Sequence, residues 1–338
     1  MLVELIILTI VVALAFDFMN GFHDSANAIS TVVATRVLTP GQAVVMAAVG
    51  NLIGPVFFST AIAATIGKGI IDTKAIQAIM PPETFVVMIM AALLGAIAWD
   101  LFTWYFGIPV SSSHALIGGL IGAAVVAVGP AYLLAPGISN VLIFMVVSPV
   151  LGFVAAYLLG LLVMRVVSQH PPDKVNPFFR KLQLASAFFY SLTHGTNDAQ
   201  KTMGIITILL VTGGFLTVFE VPLWVILAAH TAISLGTLFG GWRIVKTMAH
   251  KITHLKPYQG FCAETAGGLV LANMAGLGIP VSTTHAISGS IMGVGATQGV
   301  RSVRWGVSRG IIGAWIITIP ISAAVAGLSY LVLHALIA

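Results

Sequence analysis

The residues best able to do chemistry sit in two stretches with apolar flanks. Gly195-Thr196-Asn197-Asp198-Ala199-Gln200-Lys201-Thr202-Met203-Gly204 carries amides, a carboxylate and an ammonium group, and Gly21-Phe22-His23-Asp24-Ser25-Ala26-Asn27 matches it at Gly21/Gly195 and Asp24/Asp198. A charged side chain at the centre of a bilayer costs about 2.5–3.5 kcal/mol on the more lenient scales, so such a cluster persists where it faces a partner, a ligand or a water-filled cavity. A second pair of motifs repeats: Ile108-Pro109-Val110-Ser111-Ser112-Ser113-His114-Ala115 returns as Ile279-Pro280-Val281-Ser282-Thr283-Thr284-His285-Ala286. The offsets, 174 positions for the aspartates and 171 for the hydroxyl triplets, agree closely enough to belong to one duplication.

The hydroxyl triplets follow glycine and proline, so a helix should stop at Gly107 and at Gly278 and restart with Ser111 or Ser282 as its N-cap. A helix N-terminus offers unpaired N–H groups and a positive dipole end, which suits an anion. Hydroxyls add donors without adding charge. Carboxylates beside an anion select one that keeps a proton: phosphate at neutral pH can donate to Asp24 or Asp198, whereas sulfate has no proton to give. Arsenate would fit as well as phosphate. Carboxylates, amide carbonyls and hydroxyls are also hard oxygen ligands, so Asp24, Asn27, Asn197, Asp198, Gln200, Ser113 and Thr284 form the candidate sodium set. Lys201 matches Asn27 in position and can neutralise Asp198, touch the anion or sit in a buried ion pair.

The elements that position these residues follow from composition. With 338 residues, 58% apolar and only 7% charged, the chain is expected to be all-α and polytopic in a membrane. No basic residue precedes Arg36, so Met1 to Phe16 reads as part of a first span rather than as a signal peptide. Cys262 is the single cysteine, which excludes an internal disulfide and a cysteine-based zinc site. Apolar runs of spanning length fall at 4–34, 41–66, 84–106, 138–164, 185–212, 221–242, 258–279 and 310–337, with shorter ones at 115–128 and 285–298. Most of the fifteen basic residues lie in short loops, where they set orientation rather than bind nucleic acid.

Loops 165–181, 243–256 and 299–309, with Arg36, are expected on the cytoplasmic side of the cell (inner or plasma) membrane, and both termini outside. Loop 67–82 balances Lys68 and Lys74 with Asp72 and the adjacent Glu83, so it is expected outside. It holds the same place in the first half as the strongly basic loop 243–256 holds in the second. Equivalent loops on opposite sides give two inverted-topology repeats, 1–165 and 185–338, joined by a cytoplasmic linker at 166–184 and sharing a site at the bilayer midplane. The hinge is expected at His170-Pro171-Pro172-Asp173-Lys174. Residues 84–128 and 258–298 read as re-entrant helical hairpins entering from opposite faces.

The paired motifs resemble those of the inorganic phosphate transporters, a family that includes sodium- and proton-coupled symporters, and the likeness covers nearly the whole chain. It implies inverted repeats, re-entrant hairpins, a homodimer, and phosphate held between aspartate-bearing broken helices and Ser/Thr tips. By matching position it implies roles for Asp24, Asn27, Ser111, Ser112, Ser113, Asn197, Asp198, Gln200, Lys201, Ser282, Thr283 and Thr284. His23 departs from the family, whose first motif often has an asparagine there.

The expected function is a secondary active transporter importing inorganic phosphate with sodium, without a cofactor and without enzymatic activity. The alternative is a proton-coupled phosphate or sulfate symporter working through Asp24 or Asp198. Sodium is preferred because no series of Asp, Glu and His side chains is evident across the membrane. An anion channel would need a continuous polar or basic lining, and Lys201 is the only basic residue clearly at depth. A catalytic set of Ser113, His114 and Asp24 lacks a nucleophile elbow or metal motif. Plainer readings stand beside these: an Asp198–Lys201 ion pair, helix-packing or interfacial roles for Asp100 and Glu264, and structural hydrogen bonds for His114 and His285.

Overall fold

The computed structural model describes residues 1–57 and 59–337. Phe58, within the expected second span, and Ala338, the end of the expected second repeat, lie outside the described residues. Helices account for nearly all of the fold: α1 Leu2–Ala34, α2 Pro40–Ile53, α3 Ala61–Gly69, α4 Thr73–Ile79, α5 Pro82–Phe106, α6 Ser112–Val128, α7 Ala135–Val167, α8 Pro172–Thr212, α9 Leu223–Phe239, α10 Trp242–His250, α11 Pro257–Gly276, α12 Thr283–Ala296 and α13 Trp305–Ile337. Among the described residues, four single helices (α1, α5, α7 and α13) are long and apolar enough to cross a membrane, or six spans if α2–α3, bent by 85°, and α9–α10, bent by 71°, each count as one. The 41-residue α8 is long enough as well, but it carries Asn197, Asp198, Gln200 and Lys201.

Loop contacts divide the molecule into two ends. At one, Arg180 donates to the Arg36 carbonyl, Thr253 to Ser302 and Arg304 to His250, and Thr35, His170, Leu255 and Lys256 line one cavity, so the basic loops after α1, α7, α10 and α12 converge. At the other, Asp72 N–H donates to Tyr132, Gln77 to Thr212, and Ile71 bridges Leu133. The 33-residue α1, about 50 Å long at 1.5 Å per residue, joins one end to the other. The pair α5–α6 opens toward the second end, and α11–α12 opens toward the basic end.

Polarity is arranged for lipid. Val146, Val150, Val154 and Leu158 of α7 and Ile316, Leu328 and Val332 of α13 are exposed, whereas Asp17, Asn20, Asp24, Asn27, Asn197, Asp198 and Lys201 are buried. Side chains that would be stranded in hydrocarbon face one another instead.

Three expectations change. The stretch 166–184 is mostly helix: α7 ends at Val167 and α8 starts at Pro172, leaving 168–171 as the break. Proline is accommodated at the first helical position because its missing N–H has no intrahelical partner there, so α8 runs on through Lys174. The aspartate-bearing helices are not broken: α1 and α8 pass through Asp24 and Asp198 without interruption. The interruptions fall instead in the following spans: α2 ends at Ile53 and α3 starts at Ala61, and α9 gives way to α10 at 240–241, where Gly240 adopts a left-handed φ of 69°.

Candidate functional site

The site forms where α1 and α8 cross between the tips of the two hairpins. Both tips are built alike. Gly107 (φ 65°) and Gly278 (φ 68°) end α5 and α11 in the left-handed conformation. Ser111 and Ser282 are then the N-caps of α6 and α12, accepting from the N–H of His114 at 3.3 Å and of His285 at 3.2 Å. The capping serines are therefore occupied by their own helices, and Ser113, Thr283 and Thr284 are the triplet residues that bond side chains at the centre.

There, Asn27 Nδ2 donates to Thr284 Oγ1 at 2.9 Å and to Thr283 Oγ1 at 3.3 Å. Thr284 in turn donates to Asp24 Oδ2 at 3.4 Å, and Thr283 to Asp198 Oδ2 at 3.1 Å. Lys201 Nζ donates to both Asp198 Oδ1 and Ser113 Oγ. Tyr190 donates its hydroxyl to the Thr283 carbonyl at 3.0 Å. The ring thus joins α1, α8 and both tips, and none of these side chains is more than 6% exposed, so the centre is sealed from both ends. Asp24, His194 and Asp198 each bring one ligand atom within 4.8 Å of the others, a spacing able to hold a cation.

Of the predicted residues, Asp24, Asn27, Asp198, Lys201, Ser113, Thr283 and Thr284 come together. Gln200 does not join them through its carbonyl: Oε1 accepts from the N–H of Ile62 at 2.8 Å, at the start of α3. Asn197 donates to the carbonyls of Thr193 and Leu271 while its Oδ1 is buried without a partner, as are Asn27 Oδ1 and Ser112 Oγ. Ser113 is held by Lys201 rather than by His114, which leaves no nucleophile-base pair. His114 and His285 meet edge to face at 4.9 Å; His285 also stacks on Trp315, whose indole donates to the Pro109 carbonyl at 3.0 Å. The histidines thereby lock one tip to the other.

Several buried polar residues escaped the sequence reading. Asp17 is fully buried with both carboxylate oxygens unpartnered, and Asn20 Oδ1 likewise. Residues 17, 20, 24 and 27 recur at three and four, so they share one face of α1, a signal that helical periodicity alone supplies. On α8, Tyr190, His194, Asn197 and Lys201 follow the same rule, and His194 Nε2 lies 3.3 Å from Asp198 Oδ2. His23 Nδ1 is 2.6 Å from Asp24 Oδ1, and its Nε2 is 3.1 Å from Thr103 Oγ1 on α5. Asp100, one turn before Thr103, is fully buried, and its carboxylate has no hydrogen-bond partner among the described residues. Glu264 does make the packing bonds foreseen for it, accepting from Gln183 and Ser186. Acids and histidines are therefore buried on α1, α5, α8 and α11, joined by direct contact in the pairs His23–Asp24 and His194–Asp198.

Relatives share this chain along most of its length. The pattern of the phosphate transporter family matches residues 20–326. A Rhizobium meliloti protein described as "Probable low-affinity inorganic phosphate transporter" is 52% identical, over 95% of this chain and 94% of its own. A Bacillus subtilis protein of the same description is 45% identical over 98% of each. A solved structure described as "The sodium-dependent phosphate transporter" superposes with a TM-score of 0.87 over 98% of this chain and 99% of its own, at 24% identity, and so shares the fold. With its motifs, its fold and its relatives in agreement over nearly all residues, the chain belongs to the phosphate transporter family.

Proposed function

We propose that the chain is a secondary active transporter that imports inorganic phosphate through the pocket between Asp24, Asp198 and the two hydroxyl tips. The observation that carries this is the ring Asp24–Thr284–Asn27–Thr283–Asp198–Lys201–Ser113, which draws three residues from the first half of the chain and four from the second. Hydroxyls and Lys201 supply donors to the anion, and the carboxylates accept the protons that phosphate retains. The halves, 1–165 and 185–338, are inverted-topology repeats in this proposal. Supporting it, α5–α6 and α11–α12 open toward opposite ends, and each half holds one bent pair. The basic end is cytoplasmic, with both termini outside, by the positive-inside rule. Assembly as a homodimer rests on the family resemblance.

Protons are the coupling ion that the geometry favours. Asp17, the His23–Asp24 pair, Asp100, the His194–Asp198 pair and Glu264 place titratable groups on both sides of the ring. Buried acids and histidines in series are the usual parts of a proton relay. Sodium is the second reading, favoured by the unpartnered Asn27 Oδ1 and Asn197 Oδ1 beside two carboxylates and by the description of the solved relative. Gln200 is removed from that ligand set by its bond to Ile62.

Uptake of labelled phosphate into liposomes separates the two. Under an inward pH gradient without sodium, uphill accumulation is expected. Accumulation that needs a sodium gradient at fixed pH rejects proton coupling, and failure to accumulate against a gradient under either condition rejects the carrier in favour of a channel.

A further inference from the structure

A cavity of about 500 Å³ opens on the basic end, away from the central ring. Thr35, His170, Asn176, Arg180, Lys256 and Tyr258 supply its polar wall, and none of its lining residues is acidic. The helices α8 and α11 both begin on this wall, at Pro172 and Pro257, which carry no N–H; the N–H groups of Lys174 and Gln259 are taken by the Pro171 and Lys256 carbonyls, so each helix leaves one first-turn N–H, that of Asp173 and that of Tyr258, and the cationic side chains are the main donors to this space. Arg180 uses one Nη to hold the Arg36 carbonyl at 2.8 Å, and a guanidinium has further donors to offer.

The cavity also has a definite relation to the ring. Its floor residue Thr35 donates to Gln183 Oε1 at 2.9 Å, Gln183 Nε2 donates to Glu264 Oε1 at 3.0 Å, and Ser186 donates to Glu264 Oε2. One turn further along α8 stands Tyr190, bonded to Thr283 of the ring. On α1 the positions 27, 31 and 35 are each four apart and lie on one face, leading from the ring to the cavity. This polar seam is fully buried at Thr31, Gln183 and Glu264, and the Gln183–Glu264 bridge closes it.

We infer that this cavity is a second anion site, taking a phosphate group on the cytoplasmic side as the ion leaves the ring, with the Thr35–Gln183–Glu264 bridge as the barrier between the two stations. The inference rests on the proposed transport of phosphate inward. Two cationic side chains suit a phosphate dianion, and the absence of a lining carboxylate distinguishes this site from the ring, where Asp24 and Asp198 require a proton on the ligand.

Inorganic phosphate is titrated calorimetrically against the purified protein in nanodiscs of neutral phosphatidylcholine, and again with phosphatidylglycerol present, because a lipid headgroup carries the same group. Wild type is expected to bind phosphate in two events in the neutral discs. Arg180→Gln/Lys256→Gln should weaken one of them about a hundredfold, the loss of two charge-assisted hydrogen bonds, while Asp24→Asn removes only the other. The charge-keeping pair Arg180→Lys/Lys256→Arg should restore most of the affinity, which separates binding from folding. A single event that Asp24→Asn abolishes overturns the second site and leaves the transport proposal intact. No phosphate event in wild type defeats both. Retention of phosphatidylglycerol by wild type but not by Arg180→Gln/Lys256→Gln, without a second phosphate event, assigns the cavity to lipid and overturns the release station.

Discussion

Lys201 and Asp198 are both 1% exposed and lie one helical turn apart, and they hold Ser113 between the halves. Removing one partner of a buried pair strands the other charge, at a cost of about 3–5 kcal/mol, whereas replacing both can be nearly neutral. Lys201→Met is therefore expected to lower the melting temperature markedly, and Lys201→Met/Asp198→Asn to recover most of it. Neither variant should accumulate phosphate. Recovery of uptake in the double variant would show the pair to be structural only. His23 gives a second test at this scale. Its ring bridges Asp24 to Thr103, and Asn197 stands at the matching place in the other motif. In His23→Asn the titratable bridge is gone, so pH-driven uptake should fall at least tenfold, by about 1.4 kcal/mol or more in the coupled step, while phosphate binding changes less. Undiminished pH-driven uptake would remove His23 from the proton route.

At the scale of helices, close approach is what brings α1 to its place. A Cβ on Gly21 would lie 2.9 Å from Ile233 Cα in α9, tighter than any real packing contact, and the Gly21 carbonyl accepts from Thr237 at 3.3 Å. Gly21→Val should destabilise the protein by about 1–3 kcal/mol and shift Asp24, raising the KM for phosphate. Gly41→Ala, with open space around it, should do neither; thermal melts and uptake kinetics on both variants make the comparison. The duplication was legible because each motif pair keeps its residue types at one offset, and the caps at Ser111 and Ser282 because glycine and proline punctuate the chain just before them. What escaped was of another kind. Proline at Pro172 looked like a barrier but lies at the start of α8, where it costs no hydrogen bond. Asn20 and His194 stand at the shared offset of 174 but differ in type, and Ser191 stands opposite Asp17, so matching residue types across the halves passes over them, although the spacing along α1 and α8 puts them on the ring's own face. The destination of Gln200 was set by the start of α3, 138 positions earlier, which no local pattern contains.

For the molecule as a whole, the distribution of charge and the two ends defined by loop contacts make sidedness testable. Arg180 is tied to the Arg36 carbonyl and Arg304 to the His250 carbonyl, and Thr35, His170, Arg180 and Lys256 line one cavity, so these loops must share a side of the membrane whichever side it is. Cys262, the single cysteine, is buried, which leaves a nearly silent background for labelling. Cysteines placed at Lys174, Lys251 and Arg301 should react with a membrane-impermeant maleimide only after the cytoplasmic face is opened. Cysteines at Lys74 and Glu220 should react in intact cells. The comparison of Lys74 with Lys251 matters most, since these loops hold equivalent places in the two halves: reaction from opposite sides is what inverted repeats require, and reaction from the same side would leave two parallel copies. Parallel copies could not bring hairpins in from opposite faces, and the ring joining Asp24 to Thr284 and Asp198 to Thr283 would then need another origin.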